Sequence, residues 1–211
     1  MKTLNKIKFK SIGIFLFSML LVASCSKDDN GGGPEANEGF DGSQSSIETL
    51  LGGTVLDSLI DLGMEIHYGS RPPIVEGQYR IEPTVLEASS VPGDWIGTTF
   101  NSVNFSFSDQ NPENLQVTFD AQEDLGYDHE GAGSFISGNE NSFSVFLVNE
   151  SELGDGYIGE TIFVITGTIA ENGLTDFQIA LYMVDNAGHI GSIPNNTGRI
   201  FIDGDGLVER L

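Results

Sequence analysis

The sequence contains a single cysteine and no long apolar run. Cys25 directly follows the apolar stretch 12–23. A membrane-spanning helix needs roughly 20 apolar residues to cross ~30 Å of hydrocarbon, so this stretch is too short to span. One thiol cannot form an internal disulfide, and a lone cysteine in an exported chain needs a partner or another role.

Basic residues are scarce and unevenly placed. The chain has 9 Lys and Arg against 31 Asp and Glu, a net charge of −22. Four lysines lie in the first ten residues, and removing them leaves 5 basic and 31 acidic residues, a net charge of −26. Such a surface repels the phosphates of nucleic acids and anionic lipid headgroups. The composition therefore excludes nucleic acid as a partner.

The residues of common catalytic and metal sites are also missing. His67, His129 and His189 are not paired at a metal-ligand spacing, and no Gly-x-Ser-x-Gly elbow occurs. Asp128, His129 and Glu130 are adjacent, but neighbouring side chains on a strand point apart. The sequence therefore predicts a protein that is not an enzyme and that holds no metal or cofactor.

Residues 154–159 match the pattern Gly-x-Gly-x-x-Gly of dinucleotide sites. In a phosphate site the last glycine opens a helix, whose N-terminus holds the phosphate. Here the strand-like stretch 161–165 follows, and Asp155 would repel a phosphate. These glycines are interpreted as turn residues.

Residues 203–206, Asp-Gly-Asp-Gly, are similar to the start of a calcium loop. An EF-hand needs an oxygen ligand at its fifth position, which Leu207 occupies here. A tight turn is the preferred interpretation. A calcium site that joins Asp203 and Asp205 to Asp185 or Glu209 is the alternative.

The N-terminus has a basic head, the apolar stretch 12–23 and small residues before Cys25, the three parts of a secretory signal. Residues 22–25, Val-Ala-Ser-Cys, resemble a bacterial lipobox, which implies cleavage before Cys25 and acylation of its thiol, with palmitate among the acyl chains. The alternative is an ordinary signal and a free cysteine. Residues 26–29, Ser-Lys-Asp-Asp, resemble the export signal of Bacteroidetes-type surface lipoproteins. We therefore expect a signal peptide over 1–24 and a lipid anchor in the outer membrane that displays the protein on the cell surface.

The chain after Cys25 divides into a linker and one domain. Residues 25–46 are rich in Gly, Asp, Asn and Ser and have little to bury, which is typical of a flexible acidic linker. We expect a single domain over 47–211. It begins with one short helix at 54–63, which Thr54 can cap and Gly63 can end. A short helix this apolar should plug or flank a sheet.

From residue 78 onward apolar residues recur every second position, as in half-buried strands. Such sets occur at 79–85, 103–107, 115–119, 143–147 and 177–183, while 161–169 is apolar on both faces. The connectors are predicted hairpins with Asn, Asp or Gly at 109–114, 138–141, 171–173 and 203–206. About eight strands joined in this way predict an all-β antiparallel meander closed into a barrel. Its phenylalanines are expected to fill the interior rather than to line a ligand cavity.

Two segments resemble a group of Bacteroidetes-type surface lipoproteins of unassigned function: GMEIHYGSRPPIVEGQYRI (63–81) and RIFIDGDGLVE (199–209). Gly77 and Tyr79, which open the first strand, are similar to the entry of lipocalin-like barrels, where a glycine and an aromatic residue close the floor. That aromatic residue is Trp in the family and Tyr79 here, so the likeness is to the architecture. The resemblance implies a calycin-like barrel and no particular ligand.

Two functions are compatible with these features. The first is a lipid-anchored, non-enzymatic carrier whose barrel holds a small apolar or lipid-like ligand. The second is a packed barrel that binds another envelope protein or a glycan through its loops. Trp95 and the run 71–73, Arg-Pro-Pro, lie in predicted loops, where exposed aromatic and arginine side chains favour binding.

Overall fold

The computed structural model describes residues 39–122, 129–154 and 156–211. The predicted signal peptide, Cys25 and residues 25–38 of the predicted linker lie outside the described residues. The chain divides into two units between Gly31 and Gly32, and everything below concerns the second. No helix in the described residues is long and apolar enough to cross a membrane.

In the described residues, two short helices precede eleven strands. The helices are α1 (Gln44–Leu51) and α2 (Gly53–Leu62). The strands are β1 (Gly77–Ile81), β2 (Thr84–Ser89), β3 (Thr99–Phe100), β4 (Val103–Asn111), β5 (Gln116–Gln122), β6 (His129–Asn139), β7 (Ser142–Gly154), β8 (Tyr157–Ala170), β9 (Gly173–Asp185), β10 (Thr197–Asp203) and β11 (Val208–Arg210).

The strands form a closed antiparallel barrel, which confirms the predicted fold class. β1 pairs with β4, the strands β4 to β9 pair in chain order, and β11 closes the ring by pairing with both β9 and β1. β2, β3 and β10 extend β1, β4 and β11 beyond this ring of eight strands and pair with one another and with β9. The ring follows from the sequence because each hairpin places consecutive strands side by side.

The two ends of the barrel differ in their connections. At one end, here called the floor, lie the β4–β5, β6–β7 and β8–β9 turns and the segment that enters β1. At the other end, called the mouth, lie the β2–β3, β7–β8 and β9–β10 connections. The described chain starts beside the floor, because the Phe40 ring packs 4.8 Å from Phe135 and Gly42 accepts a hydrogen bond from Gly69.

The N-terminal helices differ in one respect from the prediction of a single helix. α2 agrees with the predicted 54–63, and Gly63 ends it in the left-handed conformation (φ 110°). Thr54 is not its cap, because Gly52 occupies that position without a side-chain bond. The first residues of α1 fall in the predicted linker. In the structure they are helical, and the Ser43 side chain caps the helix by accepting a hydrogen bond from the Ser46 amide.

One predicted hairpin is wrong. Residues 203–206 join β10 to β11, and these two strands do not pair with each other but continue in one direction along β9. The Asp203 carboxylate accepts hydrogen bonds from the amides of Glu82 (2.9 Å), Asp205 (3.0 Å) and Gly206 (3.1 Å). It thereby fastens this break to the neighbouring break between β1 and β2, where Pro83 cannot donate to a ladder.

The barrel carries two apolar cores on opposite sides of its wall. Residues such as Phe163, Ile165, Ile179 and Leu181 point inward, while their neighbours point outward and form a second buried cluster with the helices. The members of that outer cluster are Ile47, Leu51, Leu56, Leu59, Met64, Phe146, Ile162, Val164, Ala180, Tyr182 and Ile200. The helices therefore flank the barrel, and their cover explains why 161–169 is apolar on both faces.

Candidate binding surface at the barrel mouth

The floor of the barrel is sealed by the chain that enters β1. Tyr79 is 1% exposed, its hydroxyl donates to the Val75 carbonyl at 2.7 Å, and the Arg210 guanidinium lies 5.7 Å from its ring. Burial raises the pKa of Tyr79. A Cβ on Gly77 would lie 2.9 Å from the Arg210 guanidinium, and the positive φ of Gly77 (155°) disfavours any other residue there.

The entry segment is itself fixed by hydrogen bonds. The Gln110 side chain donates to the Pro73 carbonyl (2.8 Å) and accepts from the Val75 amide (2.8 Å). Residues 71–73 therefore stiffen the chain at the floor, and they lie far from the mouth.

Aromatic rings occupy the interior above the floor. Phe105 lies with its ring centroid 5.4 Å from Tyr79, 5.6 Å from Phe177 and 5.9 Å from Phe119. Phe107 joins the same group, 5.5 Å from Phe119 and 6.0 Å from Phe143. Rings at these separations are in direct contact, so they pack this half of the barrel.

A charged pair lies at the mouth. Arg199 follows the inward alternation of Phe201 and pairs in register with inward Leu181, so its side chain starts inside the wall. Asp94, from the β2–β3 loop, receives two hydrogen bonds from its guanidinium, at 2.7 and 2.8 Å. The Arg199 hydrogen bonds, with one from Ser89, hold the pKa of Asp94 below its ordinary value. This ion pair fastens the loop to β10, the strand that pairs with β2.

The β2–β3 loop, residues 90–98, presents two apolar side chains to solvent. Trp95 is 81% exposed and Ile96 is 60% exposed. Their backbone is held firmly: the Gly97 amide donates to the Leu86 carbonyl (2.8 Å) and the Thr98 hydroxyl donates to the Trp95 carbonyl (2.6 Å). These hydrogen bonds therefore fix the backbone of the loop, which exposes both side chains to solvent.

The β7–β8 hairpin and the β9–β10 loop add further exposed apolar groups at the same end. Ile190 is 99% exposed, Ile158 is 55% exposed, and the Tyr157 ring lies 5.1 Å from His189. Six of the nine large apolar side chains exposed in the described residues lie at the mouth: Trp95, Ile96, Phe100, Tyr157, Ile158 and Ile190. Exposed apolar side chains gathered at one place mark interaction sites.

Acidic side chains form a row on the outer face near the mouth. Glu150 of β7 stands opposite Glu160 of β8, and Glu160 lies beside Asp185 of β9 at a bulge in the register. The Asp185 carboxylate accepts hydrogen bonds from the Ala187 amide (2.9 Å) and the Asn195 side chain (3.2 Å). All three are exposed. Like charges directly opposite each other across strands are destabilising. We therefore expect this carboxylate row to lower the stability of the isolated protein.

The predicted chemical motifs fall in separate places. Gly154 ends β7 and Gly156 lies in the β7–β8 turn, as the turn interpretation requires, whereas Gly159 is a buried residue within β8, where that interpretation is wrong. Asp155 lies outside the described residues. His67 lies between α2 and β1 and its amide donates to the Ser144 hydroxyl, and His189 bonds Ser192 through Nδ1 (2.9 Å). Asp128 and the side chains of His129 and Glu130 lie outside the described part.

The calcium alternative finds no support in the geometry. Backbone amides occupy both Asp203 oxygens, burial raises the pKa of that carboxyl, and its hydrogen bond to Asp205 lowers the pKa of Asp205. Asp185 lies seven residues beyond Gln178, the register partner of Ile202, which is roughly 23 Å along the strand. Within the described residues no group of three or more His, Cys, Asp or Glu side chains is arranged to hold a metal ion.

The sequence predicts that Trp95 lies in a loop, but it does not predict the contacts that hold this loop in place. Asp94 and Arg199 are 105 positions apart, and no local pattern pairs them. The carboxylate row likewise depends on strand register.

A hollow of about 160 Å³ on the outer side of β1, β4 and β5 is smaller than the ~300 Å³ of typical small-molecule sites.

Comparison with protein-family models, with curated proteins and with solved structures finds no match to this chain.

Proposed function

We propose that this protein is a lipid-anchored surface lipoprotein that acts by binding, and that it docks to another component of the cell envelope through the mouth of its barrel. The concentration of exposed apolar side chains at that end carries the proposal. Tyr79 and Arg210 close the floor, so the mouth is the end of the barrel whose exposed side chains we expect to contact a partner.

The position of the described N-terminus supports this orientation. Residues 39–42 lie beside the floor, against Phe135 and Gly69. A tether that begins at acylated Cys25 would enter the barrel from there. A linker of about 15 residues spans roughly 20 Å as a flexible coil. The mouth is then free to meet a partner.

A carrier of an apolar ligand is the second candidate. One observation favours it: the Asp94–Arg199 pair fastens the β2–β3 loop to an inward-facing side chain of β10, next to the barrel interior. The aromatic packing around Phe105 and Phe107 favours the docking function instead, because it leaves little room in the lower half of the barrel.

Site-specific photo-crosslinking in the native cells tests the docking function. A photoreactive side chain replaces Ile96 at the mouth or Ile74 near the floor, two positions of nearly equal exposure, 60% and 62%. We expect a crosslinked envelope component from position 96 and none from position 74. Equal products from both positions, or none from position 96, would refute docking through the mouth.

Two measurements separate the remaining parts of the proposal. Metabolic labelling with a palmitate analogue should mark the protein and should fail in the Cys25→Ala variant, and an unlabelled native protein would exclude the anchor. Native mass spectrometry of protein purified from its own cells and released from its anchor should show the mass of the polypeptide alone. A bound small molecule would favour the carrier.

A further inference from the structure

The polar groups of the β2–β3 loop are used within the protein, as are those of the β9–β10 loop. The Asp94 carboxylate is bound to Arg199 and Ser89, and the Thr98 hydroxyl is bound to the Trp95 carbonyl. The side chains beside Trp95 are thus already satisfied within the protein. What the loop offers outward is an indole and the branched side chain of Ile96, with few groups free to hydrogen-bond.

This surface suits a protein better than a glycan. A sugar presents many hydroxyl groups, and each one left without a partner in an interface costs free energy. An apolar pocket on a protein has no such requirement, and tryptophan is among the residues that most often dominate protein interfaces. A backbone held by the Asp94–Arg199 pair also lowers the entropy cost of placing Trp95 in a pocket.

Charge decides which kind of protein fits. The carboxylate row Glu150, Glu160 and Asp185 lies at the same end, and after Lys27 the only basic residues are four arginines. The two ion pairs in the described residues join Arg80 to Glu82 and Arg199 to Asp94, away from the row. A second copy of this chain or an anionic membrane would bring more negative charge to this end.

We propose that the partner is a protein with a basic surface, which takes Trp95 and Ile96 into an apolar pocket while its cations face the carboxylate row. The apolar pair forms the centre of the interface and the carboxylates its polar rim. Neutralisation of the row would also relieve the repulsion between Glu150, Glu160 and Asp185. This inference rests on the docking function and names its partner class.

Selection from a displayed library of random peptides shows which side-chain chemistry the mouth binds, without knowledge of the natural partner. The full protein in neutral detergent serves as the target, and peptides that also bind the Trp95→Ala variant are discarded. We expect the selected peptides to combine lysine or arginine with large apolar residues. Selected peptides without an excess of basic residues would overturn the inference.

Affinity measurements on the selected peptides assign the two roles. Ile96→Ser should weaken binding about tenfold or more at any salt concentration, whereas Ile74→Ser should not change it. The combined change Glu150→Gln, Glu160→Gln and Asp185→Asn should flatten the salt dependence of binding, and Glu171→Gln near the floor should leave it intact. An unchanged salt dependence in the triple variant would remove the row from the interface.

Folding and ligand class are checked separately. Because Trp95 is the only tryptophan, its emission should shift to shorter wavelength as peptide binds and report the loop directly. A circular dichroism spectrum and melting temperature like those of the native protein show that the Ile96→Ser barrel is folded. Binding of neutral oligosaccharides that Trp95→Ala abolishes would overturn the protein partner and leave docking through the mouth intact. A failed crosslink at position 96 would instead refute the docking function itself.

Discussion

The outer faces of β7, β8 and β9 have two parts that differ in cover. Toward the floor, Phe146, Ile162 and Tyr182 point outward and are buried beneath α1 and α2. Toward the mouth, the same face of the same strands carries the carboxylate row and the exposed Ile158. The strands continue without interruption from one part to the other, so backbone structure alone does not decide which part is covered.

The difference shows how side-chain type sets the extent of the helical layer. Each apolar side chain buried under the helices gains roughly 1.5–3 kcal/mol, whereas covering Glu150 or Glu160 would require these carboxylates to be desolvated without a partner. The helices therefore cover only the apolar part of this face. In the uncovered part the carboxylates lie side by side, where we expect them to repel one another.

Removing an apolar contact of the helical layer should give the largest effect. Leu59 of α2 is 0% exposed, while its neighbour Ile60 is 42% exposed. Leu59→Ala should lower the free energy of unfolding by about 2–5 kcal/mol, because it leaves a cavity against the barrel wall. Ile60→Ala should change it by about 0.5 kcal/mol or less. Urea unfolding of both variants checks this, and equal losses would mean that α2 does not seal the wall.

A polar substitution at the mouth should have an effect of intermediate size on the free energy of unfolding. Asp94→Asn removes the ion pair with Arg199 and should cost about 1–3 kcal/mol at pH 7. Since the pKa of Asp94 is lowered in the folded protein, its contribution is present above the unfolded value of about 3.9 and is lost as the pH falls through the folded pKa. The native and variant stabilities should therefore converge at low pH.

Denaturation curves at several pH values test this sign, with Glu113→Gln as a control for loss of one exposed carboxylate. A difference between native and Asp94→Asn protein that grows as the pH falls would contradict the role assigned to the pair. Unchanged Trp95 emission in Asp94→Asn would show that other contacts suffice to hold the loop.

Local sequence patterns predict most of the fold. The period of two and the turn residues predicted the strands, and the doubly apolar stretch 161–169 held the information that something covers the outside of the barrel. α1 was missed because its sequence, QSSIETLL, begins with polar residues that continue the composition of the linker. Asp-Gly at 203–206 predicts a hairpin as readily as a break between two strands, and only the pairing of Val208 with Leu174 distinguishes them.

The candidate site was less accessible, because its parts are brought together by the closed sheet. Trp95 could be recognised in a predicted loop from its neighbours Pro92, Gly93 and Gly97. Arg199 could be placed inward only once the register with Leu181 was known. The carboxylate row required two separate registers, across β7–β8 and β8–β9, and a shift of one residue in either would have separated its members.

The smallest predicted effect is a gain in stability at the carboxylate row. Glu160 faces a carboxylate on each side, so Glu160→Gln should remove two repulsions and raise the free energy of unfolding by about 0.2–1 kcal/mol at low salt. The gain should shrink as salt rises, because these groups are exposed and screened. Glu171→Gln, in the β8–β9 turn near the floor, lowers the net charge equally and serves as the matched control. If both variants gain the same amount, the effect is general charge reduction, and the row has no special cost that a basic partner would relieve.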